Sequence, residues 1–177
     1  MIKTIAIAIV VVVALGALLL YAATQPDTFS VQRSASIKAP ADKIHPLIDD
    51  LHRFNTWNPF DKKDPNVKGS YSGPANGPGA AYAFDGKEVG TGSIRIVESS
   101  APRKVTMQLD MQKPIEGHNT VEFTLTPRGD ATEVTWAMRG SSPYIAKLMG
   151  VFVNMDRMIG QHFETGLADL KSLAERA

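Results

Sequence analysis

Cysteine is absent from the 177-residue chain. That excludes a disulfide framework, zinc–thiolate and iron–sulfur sites, and thiol catalysis. Net charge is nearly absent as well. Lys3 is the one charged side chain in residues 1–23, which leaves 18 basic and 18 acidic groups from Thr24 onward. A neutral domain has no bulk attraction for phosphate backbones, so nucleic-acid binding is not expected. The sequence also lacks a Gly-x-Ser-x-Gly elbow, a phosphate loop and a dinucleotide fingerprint. Its four histidines, His45, His52, His118 and His162, form no close His-x-x-x-His pair, and no carboxylate arrangement completes a metal site. Neither a metal nor another cofactor is expected.

What stands out instead is a run of 19 residues, Ile5 to Ala23, without a charge or a strongly polar group. As a helix it would reach roughly 28 Å, close to the hydrocarbon thickness of a bilayer. Tyr21 occupies an interfacial position at one end and Lys3 flanks the other. The run exceeds the usual apolar stretch of a signal peptide, and Leu20-Tyr21-Ala22 places a bulky residue where cleavage wants a small one. The segment therefore reads as an uncleaved single-pass anchor, with a cleaved signal peptide as the competing reading. One lysine on a short N-terminal tail favours a cytoplasmic N-terminus and an extracytoplasmic globular part. The chain divides into an anchor and short linker over 1–28 and one globular unit over 29–177.

In that unit Phe29, Val31, Ala35 and Ile37 alternate with polar residues, the period of a strand with one buried face. After Pro40, Asp42 can cap a helix running to about Phe54, although Pro46 sits awkwardly inside it. A loop carrying Trp57-Asn58-Pro59-Phe60 follows. Strands are expected over 67–73, 79–85, 88–99, 103–112, 117–127 and 131–139, separated by glycine- and proline-bearing turns. Short connections favour an antiparallel meander. Gly90-Thr91-Gly92 reads as a bend in a strand, and Arg128-Gly129-Asp130 as a hairpin turn. The last segment, Tyr144 to about Glu175, has apolar residues at helical spacing and reads as one long helix containing Gly150, Gly160 and Gly166. The fold class is α+β: a curved antiparallel sheet of about seven strands wrapped around a long C-terminal helix, with one transmembrane helix in front. A single helix leaves part of such a sheet uncovered, so a cleft between them is expected.

The order of elements resembles the START-like, or SRPBCC, superfamily and its helix-grip fold, and more narrowly the polyketide cyclase/dehydrase and lipid transport group. The residues carrying the resemblance include Ile37-Lys38-Ala39-Pro40, Trp57-Asn58-Pro59-Phe60, Gly90-Thr91-Gly92, Asn119-Thr120-Val121-Glu122-Phe123 and Thr135-Trp136. Met155-Asp156-Arg157-Met158 and Phe163-Glu164-Thr165-Gly166-Leu167 complete the set, which covers essentially all of 29–177. The resemblance implies a binder of lipids, sterols, hormones or polyketides, and in some relatives a catalyst.

Asp156 is the most informative candidate. With Phe152 as the reference angle, it falls between Ile159 and Phe163 on the apolar helix face. A carboxylate there is paired, protonated or facing a wet cavity. Arg33 shares strand parity with Val31, Ala35 and Ile37 and is expected to point inward as well. Asp156 either lines the pocket, with Arg33 nearby, and orients a polar ligand head, or is a helix-edge residue that reaches solvent or a structural ion pair. Trp57 and Phe60 either gate the mouth of the cleft or plug the end of the core. Tyr82, Phe84, Met107 and Phe152 are expected to line the cleft, with Tyr71, Met111, Met138, Met149 and Met155 as further apolar candidates. His118, beside Asn119 at a strand start, is a general-base candidate alongside Asp156. The reading these residues support is a membrane-anchored binder of a hydrophobic small molecule or lipid. A cyclase- or dehydratase-type enzyme and a tethered interaction or stress protein with a closed cavity are the alternatives. Oligomeric state is left open.

Overall fold

The computed structural model describes residues 2–176. Its first element, α1 (Ile2–Ala23), is long and apolar enough to cross a membrane, and nearly all its described side chains are exposed. After a short turn the chain enters β1 (Thr28–Ile37), then three short helices, α2 (Ala41–Asp49), α3 (Leu51–Trp57) and α4 (Pro59–Lys63). Six strands follow: β2 (Lys68–Ser72), β3 (Ala81–Gly86), β4 (Gly90–Ser100), β5 (Lys104–Lys113), β6 (Gly117–Arg128) and β7 (Ala131–Ser141). Two helices, α5 (Tyr144–Gly150) and α6 (Met155–Ala174), end the chain.

The strands form one seven-stranded sheet in the order β1-β7-β6-β5-β4-β3-β2. Every pairing is antiparallel. Six strands are thus a meander, and β1 closes onto β7. Register shifts at Thr91/Gly92 and between Ile96 and Glu98 mark irregularities in β4, which bend a strand and increase its twist. With this sheet folded around α6 the architecture is the helix-grip fold. Alternation set the strands: Val105, Met107, Val121, Phe123, Leu125, Val134, Trp136 and Met138 all turn to the concave face and are buried.

Two expected helices are broken, each by a side chain that caps a new start. The helix expected to run from Asp42 to Phe54 divides at Asp50, whose backbone is extended and whose carboxylate accepts from the amides of His52 and Arg53. Pro46 lies inside α2, and its ring leaves no amide to bond the preceding turn. Asn58 repeats the device: its side-chain oxygen accepts from the Phe60 amide, with Pro59 opening α4. Trp57-Asn58-Pro59-Phe60 is therefore a junction between two helices rather than a loop. The long C-terminal helix is likewise interrupted over 151–154. Asn154 is extended and accepts from the Arg157 amide to start α6. Freed by that break, α5 packs against α1.

The space between α6 and the middle of the sheet is filled by aromatic rings. Phe163 stacks on Trp136 with centroids 4.2 Å apart, and Trp136 lies 4.9 Å from Phe123. Phe54 and Trp57 meet these rings edge-on. Gly166 lets α6 approach this layer, because a Cβ there would lie 2.7 Å from the Trp136 ring and 2.9 Å from Pro59.

Candidate ligand-binding surface

Where α6 begins decides what it covers. Its first turns are fastened to the middle of β1 by Arg33, whose Nη1 and Nη2 donate to the two Asp156 carboxylate oxygens at 3.1 and 3.0 Å. Arg33 Nε donates to Glu164 Oε1 at 2.8 Å. The guanidinium occupies the space above Gly160 that any larger residue would contest. These bonds hold the arginine firmly protonated and the Asp156 carboxyl below the usual carboxylate range. Asp156 and Arg33 are thus brought together as an ion pair. The Asp156 side chain is 59% exposed. Farther along, Lys171 Nζ bonds the Ser36 carbonyl and Glu175 accepts from the Lys38 amide. The helix therefore runs along β1 from Arg33 toward the strand's C-terminal end.

The opposite end of the concave face, where β1 starts, is left half-covered. Registry aligns Phe29, Gly140, Asn119, Leu109, Ile94 and Tyr82 in one row across the sheet. Met111, Gly92 and Phe84 form the next row out. Phe29, Phe84 and Leu109 are half-buried and packed on the core, as are Phe60 from α4 and Met155 from α6. Two glycines flatten this floor. The Phe84 ring and Met111 Sδ lie over Gly92, while Phe29 and the Asn119 amide lie over Gly140. Asn119 is 9% exposed, and its side chain makes no hydrogen bond among the described residues. The result is a shallow apolar surface with one unpaired polar group on its floor.

One side of this surface is bounded by α4, which straps α6 to β3. Phe60 packs on the His162 ring, Lys62 pairs with Asp169, and Asp61 Oδ2 accepts from Tyr82 Oη at 2.7 Å. Burial pushes the Asp61 carboxyl up from its ordinary value, and the same burial with this hydrogen bond keeps Tyr82 protonated. Beyond the strap, Asp64 is held down by the amides of Glu88 and Asn66. A cleft of about 230 Å³ opens elsewhere, between α3 and the loop joining β2 to β3, lined by His52, Tyr71 and Pro74 among others. It falls below the roughly 300–1,000 Å³ of a typical small-molecule site.

The sequence candidates separate accordingly. Phe84 lies on the open surface, and Tyr82 is buried at its edge with its hydroxyl committed to Asp61. Trp57 and Met107 have no exposed surface, and the Trp57 indole donates to the Leu47 carbonyl at 2.8 Å. Phe152 lies in the turn between α5 and α6, 73% exposed. His118 alternates with the buried side of β6 and so projects from the convex face. Its Nδ1 lies 2.6 Å from Asp110 Oδ1, which raises the histidine's pKa and lowers that of the aspartate. His118 and Asp156 are not brought together. Asn119 and Asp61 escaped the sequence reading as site residues. Asn119 alone left a trace there, as a polar residue on the apolar parity of β6.

A family model described as "Polyketide cyclase / dehydrase and lipid transport" matches residues 28–175. Among solved structures, the chain is similar to protein CV1439 from Chromobacterium violaceum, at 15% identity and a TM-score of 0.59, covering 85% of this chain and 99% of that one. Protein MLL2253 from Mesorhizobium loti gives 18% identity and a TM-score of 0.58, with 84% and 98% covered. The major latex-like protein 151 from Panax ginseng gives 12% identity and a TM-score of 0.60, with 84% and 99% covered. At these identities the likeness shows the fold alone. No match is found among curated proteins.

Proposed function

We propose, for a chain that belongs to the polyketide cyclase/dehydrase and lipid transport family, that it binds a hydrophobic small molecule or lipid and is held at a membrane by α1. The observation that carries this reading is the half-buried apolar floor of Phe29, Phe84, Leu109 and Met111 at the end of the sheet where β1 starts. Burying an apolar ligand there removes exposed hydrocarbon from water without opening the core, at about 25 cal/mol per Å² covered. Asn119 offers an amide to one polar group of the ligand. In this reading 1–28 anchors and 29–177 binds. β1 begins five residues after α1 ends, so the floor lies at the bilayer-facing end of the domain. The domain is assigned to the extracytoplasmic side, because Lys3 lies on the short tail that stays behind.

Binding is favoured over catalysis because the two acid–base candidates are on different faces and each is engaged in an ion pair. Titration of the full chain with a fluorescent apolar probe such as N-phenylnaphthylamine tests the reading. Saturable binding that Leu109→Lys abolishes, with the protein still folded, is the expected result. Equal probe binding by Leu109→Lys and the parent would refute the assignment of this surface.

A further inference from the structure

We infer that α5 and the turn after it, residues 144–153, lie in the membrane interface as a second lipid contact, so that the domain is seated on the bilayer rather than hung from it. The inference rests on reading α1 as a membrane span and goes beyond it. Between Arg139 and Asp156 the sequence holds one charged residue, Lys147. Its side chain is nearly buried, and its ammonium pairs with Asp27 in the linker just before β1. The rest of the segment exposes apolar side chains to solvent: Ile145, Met149, Phe152 and Val153, with Met158 beside them at the start of α6. Among the described residues outside α1, Phe152 is the most exposed large apolar one.

Position identifies the occupant. The Tyr144 hydroxyl donates to the carbonyl of Leu19, four residues before the end of α1. At 1.5 Å per residue that contact lies about 6 Å below the end of α1, the depth of the headgroup boundary if α1 spans the hydrocarbon. Tyr144 and Tyr21 are then interfacial aromatics on neighbouring helices. α5 packs against α1, so the exposed apolar side chains of its segment stand beside a helix whose own described side chains are nearly all apolar and exposed. A helix lying at the boundary with its apolar side down is the geometry such a segment adopts on lipid. The break at Asn154 has a purpose in this arrangement, since an unbroken helix would carry 144–150 away from α1. The contact also sets the tilt of the domain, turning the end that carries Phe29 and Asn119 toward the lipid.

Because the chain has no cysteine, one introduced thiol gives a unique label. Full-length Phe152→Cys and Met149→Cys, each carrying a polarity-sensitive fluorophore, are reconstituted into phosphatidylcholine vesicles. Asp130→Cys, in the turn at the far end of the sheet, is the reference position. The expected result is blue-shifted emission at 149 and 152 and a several-fold loss of fluorescence on adding lipids spin-labelled near the headgroup, with no loss at 130. Chain that resists alkaline extraction from the vesicles while neither label is quenched overturns the inference and leaves the anchor standing. Labels shielded from a water-soluble quencher but untouched by spin-labelled lipid place a second copy on this face, which also overturns it. Chain released by alkali removes the anchor reading itself, and the inference with it.

Discussion

Trp57→Ala distinguishes a core role for this tryptophan from a role at the mouth of a cleft. The indole has no exposed surface and lies 4.9 Å from Phe54, 5.7 Å from Trp136 and 5.9 Å from Phe123, centroid to centroid. Truncating a buried tryptophan to alanine costs about 3–5 kcal/mol, and orphaning the Leu47 carbonyl adds about 1 kcal/mol. The sum, about 4–6 kcal/mol, is a large share of the roughly 5–15 kcal/mol that holds a domain folded. With a urea dependence of about 2 kcal/mol per molar, the unfolding midpoint falls by about 2–3 M. The assay is urea titration of the full chain in detergent, followed by the fluorescence of Trp136, the other of the two tryptophans. Trp57→Phe keeps most of the ring contacts and loses the donor, so about 1–2 kcal/mol is expected. A Trp57→Ala protein with the parental midpoint and an altered affinity for an apolar probe would refute the core assignment and restore the gate.

Three further outcomes follow from the same geometry. Gly92→Val would place its Cβ 2.5 Å from the Asp110 carbonyl and 2.9 Å from the Phe84 ring. It is expected to cost about 1–3 kcal/mol as an overpacked site and to weaken probe binding at least several-fold, read by thermal unfolding and probe titration. The His118 ring should titrate above the ordinary histidine value by NMR, and Asp110→Asn should return it. Because the folded-state pKa is raised, the histidine's contribution is fully present below its unfolded value and is lost as pH rises through the folded value. The lowered Asp110 adds the opposite limb, lost as pH falls through its own folded pKa. Asp61 behaves in reverse: its raised pKa means the folded state takes up a proton more readily than the unfolded one. Asp61→Asn is therefore expected to match or exceed the parent's stability at neutral pH and to lose that advantage as pH falls, measured by urea midpoints at each pH.

Strand alternation and the turn signals between strands placed every strand within two residues of its observed bounds; one face of β1 and of β3 to β7 is buried with a period of two, whereas β2 is exposed throughout and was bounded by its turns alone. Helix phase was a weaker guide. Asp156 was assigned an angle by counting from Phe152, yet Phe152 lies in the turn before α6 and shares no helical frame with it. Periodicity counts residues without detecting that Asn154 restarts the count by capping the Arg157 amide. The same break decides which half of the sheet stays open, so Leu109 could not be told from an ordinary core position by sequence, and the polar Asn119 on the apolar parity of β6 was the one mark of the open end. Asp61 was illegible for another reason. Its environment comes from Tyr82, 21 residues away on a different element, and no spacing rule connects a short strap helix to a strand. Trp57 shows the limit of composition: the same Trp-Asn-Pro-Phe string serves a gate or a core plug, and only the burial of the indole separates the two.

The most direct test of the central claim is native mass spectrometry of the full chain released from lipid nanodiscs, with extraction and identification of whatever remains bound. The account predicts one apolar molecule per chain, absent from Leu109→Lys and retained by Phe152→Cys. A chain that stays at its bare mass after incubation with mixed membrane lipids, with parent and Leu109→Lys indistinguishable, would contradict it.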